Sequence, residues 1–262
     1  MPDNRTAGRP AAASASSSTA ASWSPFSYIV VNLARFIRPG EITFSGVNST
    51  FPMLACLLAK RAYDWDFVYI NVAGGVDPEP GRIPLSSSDP VLAEQSASIF
   101  ANEDFYDLCT RGRMDLTFLG AAQIDGEGNA NNSVIGDWHR PKVRLPGGGG
   151  GAVMLPTARR ACTWRTEHSR RTFVPRLDFR TAAGGFHGVV TPIAVFVKRD
   201  GRLALQSWHS ESSLEEVRSR TGFDFDAAGA GPTEPPTAAE TQALAALDPD
   251  GRFERDANVA LR

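Results

Sequence analysis

Cysteine and histidine are scarce in this chain, and neither sign of charge is in clear excess. The 262 residues include 3 cysteines and 4 histidines, with neither a C-x-x-C nor an H-x-x-x-H pair among them. This spacing argues against a disulfide framework and predicts that no metal is bound. Lysine and arginine together number 27, against 29 aspartates and glutamates. No basic face is therefore expected, and nucleic acid is not an expected partner.

Long apolar runs are also missing. No stretch of about 18 apolar residues occurs, so the sequence predicts neither a membrane span nor a membrane partner. Residues 1–24 are rich in alanine and serine and lack the apolar segment of a signal peptide. We therefore expect a disordered tail over residues 1–24, a single domain over residues 25–262, and a cytoplasmic location.

Strand and helix patterns alternate along the rest of the chain. Strands are predicted at 41–44, 66–72, 116–119, 158–165, 171–174, 193–197 and 203–205, and helices at 28–37, 51–62, 94–110, 213–220 and 237–247. This alternation predicts an α/β fold with an open, mostly parallel sheet. Ligands bind such sheets at the carboxyl ends of the strands, and polar turns containing glycine follow predicted strands at 45–50, 73–81 and 120–132.

Five consecutive glycines, Gly147 to Gly151, form the most unusual segment. Glycine loses the most backbone entropy on ordering and brings no side chain to bury. The run is therefore either a flexible surface linker or a segment whose backbone approaches a ligand. In the second case its N–H groups would bind an anion or stabilise an oxyanion. It is neither a P-loop nor a dinucleotide fingerprint with its downstream acid, so physical reasoning alone leaves both interpretations open.

The residues around this run resemble a known family. The segment GAAQIDGEGNANNS-IGD, followed by H-x-P-K-x-R-x-P-G and the glycine run, is similar to the β subunit of family I CoA-transferases of the glutaconate CoA-transferase type. The similarity extends to LACLLAKRAY at 54–63, to SSLEEVRSRTGFDFD at 212–226 and to LDPDGRF at 247–253, so it covers roughly residues 28–253. It implies the open α/β sheet shared with ribose-5-phosphate isomerases.

The same resemblance implies a partner and a substrate. Members of the family have their active site at the interface with a homologous α subunit, in a hetero-oligomer. The implied substrate is an acyl-CoA thioester, and no cofactor is expected to be bound permanently.

The family's nucleophile is missing from this chain. Members that transfer CoA carry a glutamate in V-E-S-G, after A-K-R-x-Y, which attacks the acyl-CoA carbonyl and forms first an anhydride and then a glutamyl-CoA thioester. Counting from Ala59, the corresponding residue is Val72. Asp77 and Glu79 follow it and are the alternative carboxylates, although carboxylates between prolines and glycines are typical of turns.

Three functions remain open for such a subunit. The first, which we favour, is a CoA-ester enzyme of the hydrolase type, because the resemblance includes nucleophile-lacking heteromers that act in steroid-ring degradation with a carboxylate from the α subunit. The second is a genuine acyl-CoA:carboxylate CoA-transferase that uses Asp77, Glu79 or a partner residue. The third is a non-catalytic β subunit that only scaffolds its partner.

The resemblance also suggests a set of site residues for the favoured function. The glycine segment is expected to bind CoA or the oxyanion through Gly148, Gly149, Gly150, Gly151 and Ala152. The pocket is expected to be lined by Val72, Ala73, Gly74, Gln123, Asp125 and Asn129, with Val72 leaving room where relatives have a glutamate.

Overall fold

The computed structural model describes residues 23–260. Within this range the α-helices are α1 (Pro25–Ala34), α2 (Thr50–Ala62), α3 (Asn102–Thr110), α4 (Gly151–Thr157), α5 (Leu214–Arg220), α6 (Ala238–Leu247) and α7 (Arg252–Ala260), and a 3₁₀ helix covers Pro90–Ala93. The strands are β1 (Ile42–Ser45), β2 (Val68–Asn71), β3 (Gly75–Val76), β4 (Ser98–Ile99), β5 (Leu116–Phe118), β6 (Gln123–Ile124), β7 (Ala130–Asn131), β8 (Val134–Gly136), β9 (Pro141–Arg144), β10 (Arg160–Trp164), β11 (Gly188–Val190), β12 (Ala194–Arg199), β13 (Arg202–Trp208) and β14 (Gly231–Pro232).

Ten of these strands form one sheet in the order β14-β13-β12-β11-β10-β5-β1-β2-β3-β4. The five central strands, from β11 to β2, run parallel to one another. Strands β12 and β13 on one side, and β3 and β4 on the other, pair antiparallel. The predicted α/β fold with an open, mostly parallel sheet is therefore confirmed, and its antiparallel pairs lie toward the edges.

Helices cover both faces of the sheet. Helices α1, α2, α6 and α7 pack on one face, and α3, α4 and α5 pack on the other. The central strands supply buried side chains to both sides, as in β2, where Tyr69 belongs to the first cluster and Ile70 to the second. Burial on both faces is the usual condition of parallel strands and explains their apolar sequences.

The first helix begins three residues earlier than the helix predicted over 28–37. Ser24 is the N-cap of α1, where its hydroxyl accepts a hydrogen bond from the Ser27 N–H at 3.2 Å, and Pro25 occupies the first helical turn. Ser24 therefore caps the first helix, although composition groups it with the alanine- and serine-rich residues before it. Residues 1–22 of the predicted tail lie outside the described residues.

Two predicted elements are wrong in detail. The helix predicted over 94–110 begins only at Asn102, because the preceding backbone pairs with β3 through Ala97 N–H to Val76 O and Phe100 N–H to Gly74 O. The strand predicted over 171–174 is a turn with an isolated bridge between Ile124 and Phe173. The structure also contains α4, α7 and the central strand β11, which the sequence did not predict.

The predicted hairpin between β12 and β13 is confirmed. Asp200 and Gly201 form its turn with φ angles of 49° and 80°. Positive φ at both central residues is typical of the tight turns that match strand twist. Across residues 23–260, no helix has the length and apolar character that a membrane crossing requires.

Candidate active site

The carboxyl ends of β2, β1, β5 and β10 lie side by side. We call this line of strand ends the carboxyl edge of the sheet, as distinct from its outermost strands. Hydrogen bonds continue just past the strands, from Val72 N–H to Ser45 O at 3.1 Å and from Leu119 N–H to Cys162 O at 3.0 Å. The loops that follow these strands therefore start side by side. This is the edge at which open α/β sheets bind ligands.

A cleft of about 390 Å³ opens at this edge. Its walls come from the ends of β1, β2 and β5, from α3, and from the segment that leads into α4. Phe44 and Phe105 stack in it with ring centroids 3.8 Å apart. The lining residues are Phe44, Gly46, Val47, Ser49, Val72, Asn102, Phe105, Tyr106, Phe118, Leu119, Gly120, Pro146, Gly147, Gly148, Gly149, Gly150, Gly151 and Met154.

The glycine run lines this cleft and leads directly into α4. Gly147 and Gly149 have φ angles of +96° and +47°, a left-handed conformation that favours glycine. The Gly147 N–H donates to Asn132 O at 2.7 Å, and the Gly151 N–H donates to Gly148 O at 2.8 Å. Among the described residues, the N–H groups of Gly148, Gly149 and Gly150 donate to no acceptor. Three backbone donors are thus left without a partner at the cleft.

Gly150 lies close to the ends of two side chains. A Cβ atom at Gly150 would lie 2.5 Å from Met154 Cε and 2.8 Å from the Tyr106 hydroxyl. At Gly149, in contrast, a Cβ atom would meet nothing within 4 Å. The backbone therefore passes tightly over α3 at Gly150 and faces open space at Gly149. Ala152, the last residue of the predicted set, is exposed and is not among the residues that line the cleft.

Val72 lines the cleft, whereas its two neighbours in the predicted set do not. The Ala73 N–H donates to the Asn71 side-chain oxygen at 3.0 Å, within the turn between β2 and β3. Gly74 is packed so closely that a Cβ atom would lie 2.9 Å from Phe100 O. Ala73 and Gly74 therefore shape the turn beside the cleft.

The structure does not bring Gln123, Asp125 and Asn129 to the cleft. They lie in the hairpin of β6 and β7, where Asp125 accepts hydrogen bonds from the Asn129 backbone and side chain at 2.9 and 3.1 Å. The Gln123 side-chain oxygen accepts from Asn131 Nδ2 at 2.8 Å. These polar groups therefore stabilise the hairpin by bonding to each other and to their neighbours.

The two alternative carboxylates also lie away from the cleft. Asp77 Oδ1 accepts a hydrogen bond from the Tyr69 N–H at 2.8 Å and lies 2.9 Å from Lys60 Nζ. Tyr69 is two residues before the carboxyl end of β2, so Asp77 is held back along the strand. Glu79 is exposed, two residues further along the loop.

None of the residues lining the cleft is a carboxylate, a cysteine, a histidine or a lysine. The three cysteines are buried elsewhere, and burial raises the pKa of Cys109 to about 11 and that of Cys162 to about 12. Their thiols stay protonated at neutral pH and are poor nucleophiles. In the described part of the chain, no cluster of three or more potential ligands could hold a metal ion. This side of the cleft offers apolar walls, hydroxyls and backbone N–H groups.

A second cleft, of about 520 Å³, adjoins the first. The two share Val47, Gly120, Pro146 and Gly147 in their walls. Arg165, which directly follows β10, lines the second cleft and was not among the predicted site residues. Its place as the last residue of the strand predicted over 158–165 was the available signal, since nothing else in the local sequence distinguishes it from the other arginines.

Comparison with known proteins agrees with this architecture. The model of the family described as "Coenzyme A transferase" matches residues 27–198. The B subunit of 3-oxoadipate CoA-transferase from Pseudomonas knackmussii is 32% identical over 240 residues, which are 84% of this chain and 91% of that protein. Two solved structures also resemble this chain over most of its length.

The decarboxylase AibA/AibB superposes with a TM-score of 0.82 and 29% identity, covering 88% of this chain and 98% of its own. Glutaconate CoA-transferase from Acidaminococcus fermentans superposes with a TM-score of 0.76 and 27% identity, covering 88% and 97%. Sequence and structure therefore lead to the same assignment. This chain belongs to the coenzyme A transferase family.

Proposed function

We propose that this chain is the β subunit of a heteromeric enzyme that acts on acyl-CoA thioesters, of the hydrolase type, without forming a covalent intermediate on this chain. The observation that carries the proposal is the lining of the cleft, which contains no carboxylate and includes Val72, the residue that counting along the sequence aligns with the family's nucleophile. A CoA-transferase of the covalent type needs a carboxylate there to hold the acyl group and then CoA.

Hydrolysis by this mechanism requires no nucleophilic side chain on this chain. Water attacks a carbonyl carbon of the acyl-CoA, the carbonyl π electrons move onto its oxygen, and that oxyanion collapses as the bond to the leaving group breaks. The leaving group takes up the proton that the water has lost. The free N–H groups of Gly148, Gly149 and Gly150 are suited to stabilise the oxyanion, because they are backbone donors held at the cleft.

The general base in this scheme comes from the partner subunit. Two observations support a partner at this edge of the sheet. The side chain of Val47 lines the cleft with 70% of its surface exposed, and Tyr106 is exposed beside it. Apolar surface of this kind is typical of a face that another chain covers. A relative that is itself one subunit of a CoA-transferase, and a decarboxylase named for two chains, are consistent with an α subunit there.

Decarboxylation is the second candidate, favoured by the similarity to AibA/AibB. In that reaction the bond to a carboxylate carbon breaks, CO₂ leaves, and the electron pair moves into the thioester carbonyl before a proton is added. This chemistry also needs no nucleophile, and the resulting enolate oxygen would use the same N–H donors.

Mass spectrometry of the substrate distinguishes these reactions. The purified heteromer is incubated with a panel of acyl-CoA thioesters in the absence of any acceptor acid. Our proposal predicts products whose combined mass is that of the substrate plus one water, such as a free acid and CoA, whereas a decarboxylase gives an acyl-CoA that has lost one CO₂. A covalent transferase converts nothing until a free carboxylic acid is added, and that result would contradict the proposal.

A further inference from the structure

Residues 137–144, around the turn between β8 and β9, and residues 176–180 form a largely exposed surface that lies outside both clefts. The two segments are joined where the Gly136 N–H donates to Asp178 Oδ2 at 2.8 Å. We call the two segments together the basic patch. They contain five lysines and arginines against two aspartates, within a chain whose net charge is -2. Such an excess of one sign is typical of a surface that binds the opposite charge.

Most cations of the basic patch are exposed and unpaired. Four of them form no ion pair and no side-chain hydrogen bond within residues 23–260: Arg140, Lys142, Arg176 and Arg180. The two aspartates accept hydrogen bonds from backbone N–H groups, Asp137 from His139 at 2.8 Å and Asp178 from Gly136. An acidic partner can therefore bind these four cations without displacing an ion pair of this chain.

Trp138 gives the basic patch an aromatic centre that its neighbours hold in place. Its ring stacks on Phe179 with ring centroids 4.7 Å apart, and the Arg144 guanidinium carbon lies 4.7 Å from the Trp138 ring centroid. Arg144 Nη2 also donates to Trp138 O at 2.9 Å. Even so, 46% of the Trp138 surface is exposed. An exposed tryptophan fixed among arginines is typical of the residues that dominate protein–protein binding.

We propose that the basic patch is a docking surface for an acidic face of the α subunit. The inference rests on the proposed function, which gives this chain that partner. The place of the patch supports this occupant, because its first segment continues through Leu145 to Pro146, which lines both clefts together with the exposed Val47. A subunit that covers the apolar surface at Val47 is then next to the patch. That subunit should present several aspartates or glutamates there, around an apolar contact for Trp138.

Two other occupants have distinct consequences. A second copy of this chain, bound through the same surface, would bring like charges together, and like charges across an interface repel. The phosphates of CoA would make the cations important for binding CoA and unimportant for assembly. The α subunit alone predicts that the cations affect assembly when no CoA is present.

Zero-length crosslinking of the intact heteromer tests for the acidic face directly. Lys142 is the exposed one of the three lysines, whereas Lys60 and Lys198 are half-buried and bonded to oxygens of this chain. A carbodiimide activates a carboxylate, the Lys142 amine attacks it to form an amide, and the activated oxygen leaves with the carbodiimide as a urea. Peptide mass spectrometry should show an amide between Lys142 and an aspartate or glutamate of the α subunit. Lys142→Arg keeps the charge and should abolish this crosslink.

Dilution of the heteromer without CoA measures what the charges contribute to assembly. Mass photometry follows the fraction of intact complex at about 50 and 500 mM NaCl, since salt screens exposed charges. Reversing two charges, Arg140→Glu with Arg176→Glu, should raise the apparent Kd by about 10- to 100-fold at the lower salt concentration, and by less at the higher one. Lys142→Arg should leave the Kd unchanged.

The matched control is Arg61→Glu with Arg113→Glu. It reverses the same number of charges at two exposed residues without an ion pair, near the end of α2 and before β5. This variant should assemble with the wild-type Kd at both salt concentrations, because neither residue belongs to the basic patch.

Three results would overturn the proposal. They are the absence of a crosslink from Lys142 to the α subunit; equal Kd values for the patch variant and the control; and weaker binding of CoA to a patch variant that assembles normally, which assigns the cations to CoA phosphates. Each of these arises in a wild type that assembles. A chain that copurifies with no α subunit would refute the proposed function as well, so the two failures are distinguishable.

Discussion

Two adjacent glycines of the run, Gly149 and Gly150, have different surroundings. A Cβ atom at Gly150 would meet the flexible ends of the Met154 and Tyr106 side chains, which can move aside, whereas Gly149 combines a left-handed φ with open space in front of it. A ligand that binds the free N–H groups of the run would occupy that open space. A side chain at position 149 should therefore exclude the ligand.

We predict that Gly149→Val lowers turnover by the heteromer by about 100-fold or more, the loss typical of a damaged oxyanion site. Left-handed backbone also costs a valine roughly 1–2 kcal/mol of stability, so a strain control is needed. Gly201→Val provides it, because Gly201 also has positive φ and open space, at the distant β12–β13 turn. Both variants should lose similar unfolding free energy in urea, and equal loss of turnover in the two would refute a site at the glycine run.

Asp77 is a structural carboxylate in our interpretation. It bonds to the Tyr69 N–H and pairs with Lys60. Asp77→Asn should lower the unfolding free energy by about 1 kcal/mol and leave turnover unchanged, since asparagine tolerates the left-handed backbone at this position (φ 46°). Glu79→Gln, at an exposed position, should change neither quantity. A variant Asp77→Asn that is stable and inactive would favour the transferase alternative.

Counting from Ala59 along the sequence located Val72. The sequence did not show which other residues line the cleft beside the glycine run. Val72 directly follows a strand whose end can be predicted, so its place at the edge of the sheet follows from local pattern. Gln123, Asp125 and Asn129 also stand near a strand end, and their polar groups suggested a pocket. Their side chains instead bond within the hairpin of β6 and β7, a choice between partners that no spacing rule decides.

Two buried histidines join separate elements and make the fold sensitive to acid. His168 lies between Thr191 and Thr221, each 3.0 Å away, and connects the β11–β12 turn to the end of α5. His209 Nε2 donates to Thr191 O at 3.0 Å, and its Nδ1 lies 2.9 Å from Thr233 Oγ1. Burial lowers the pKa of His168 to about 3 and that of His209 to about 4.

Below its ordinary pKa of about 6.5, an unfolded histidine takes up a proton that these two folded residues do not. The unfolding free energy should therefore fall as pH drops from about 6.5 toward 4, by at most about 1.4 kcal/mol per pH unit for each histidine. Urea unfolding between pH 7.5 and 4.5 measures this slope. His209→Gln should flatten it, whereas His139→Gln, at an exposed residue, should not. Equal slopes in all three proteins would contradict the role of His209.

At the scale of elements, the sequence predicted four of the five central strands, β1, β2, β5 and β10, together with the hairpin of β12 and β13, and missed the central strand β11. The central strands are apolar runs buried on two faces, which is a strong signal. The sequence signal for helix α4 is weak, because the helix starts in glycine and contains Pro156. Packing of Met154 and Leu155 in the core shared with α3 stabilises it, and such long-range contacts override local propensity. Residues 94–101 follow the same rule. Their pairing with β3 at the edge of the sheet overrides the helical pattern of their sequence.

At the scale of the whole molecule, two adjoining clefts open at the carboxyl ends of the central strands. Four adjacent strand ends, the glycine run and Arg165 line these clefts with hydrogen-bond donors and a cation, and no carboxylate, cysteine, histidine or lysine lines the first cleft. The resemblance in sequence already implied a partner subunit. What the sequence could not supply was the adjacency of the second cleft, because Arg165 and Gly147 are brought together only by the strand order of the folded sheet.

Trapping during turnover tests the central claim most directly. The heteromer is incubated with an acyl-CoA that it converts, borohydride or hydroxylamine is added, and the intact mass of this chain is measured. Val72→Glu serves as the positive control, because it restores a carboxylate at the cleft, and Val72→Gln serves as its uncharged counterpart. We predict an unmodified wild-type chain while substrate is consumed, with an adduct only in Val72→Glu. A modified carboxylate on the wild-type chain, at Asp77, Glu79 or elsewhere, would contradict a reaction without a covalent intermediate.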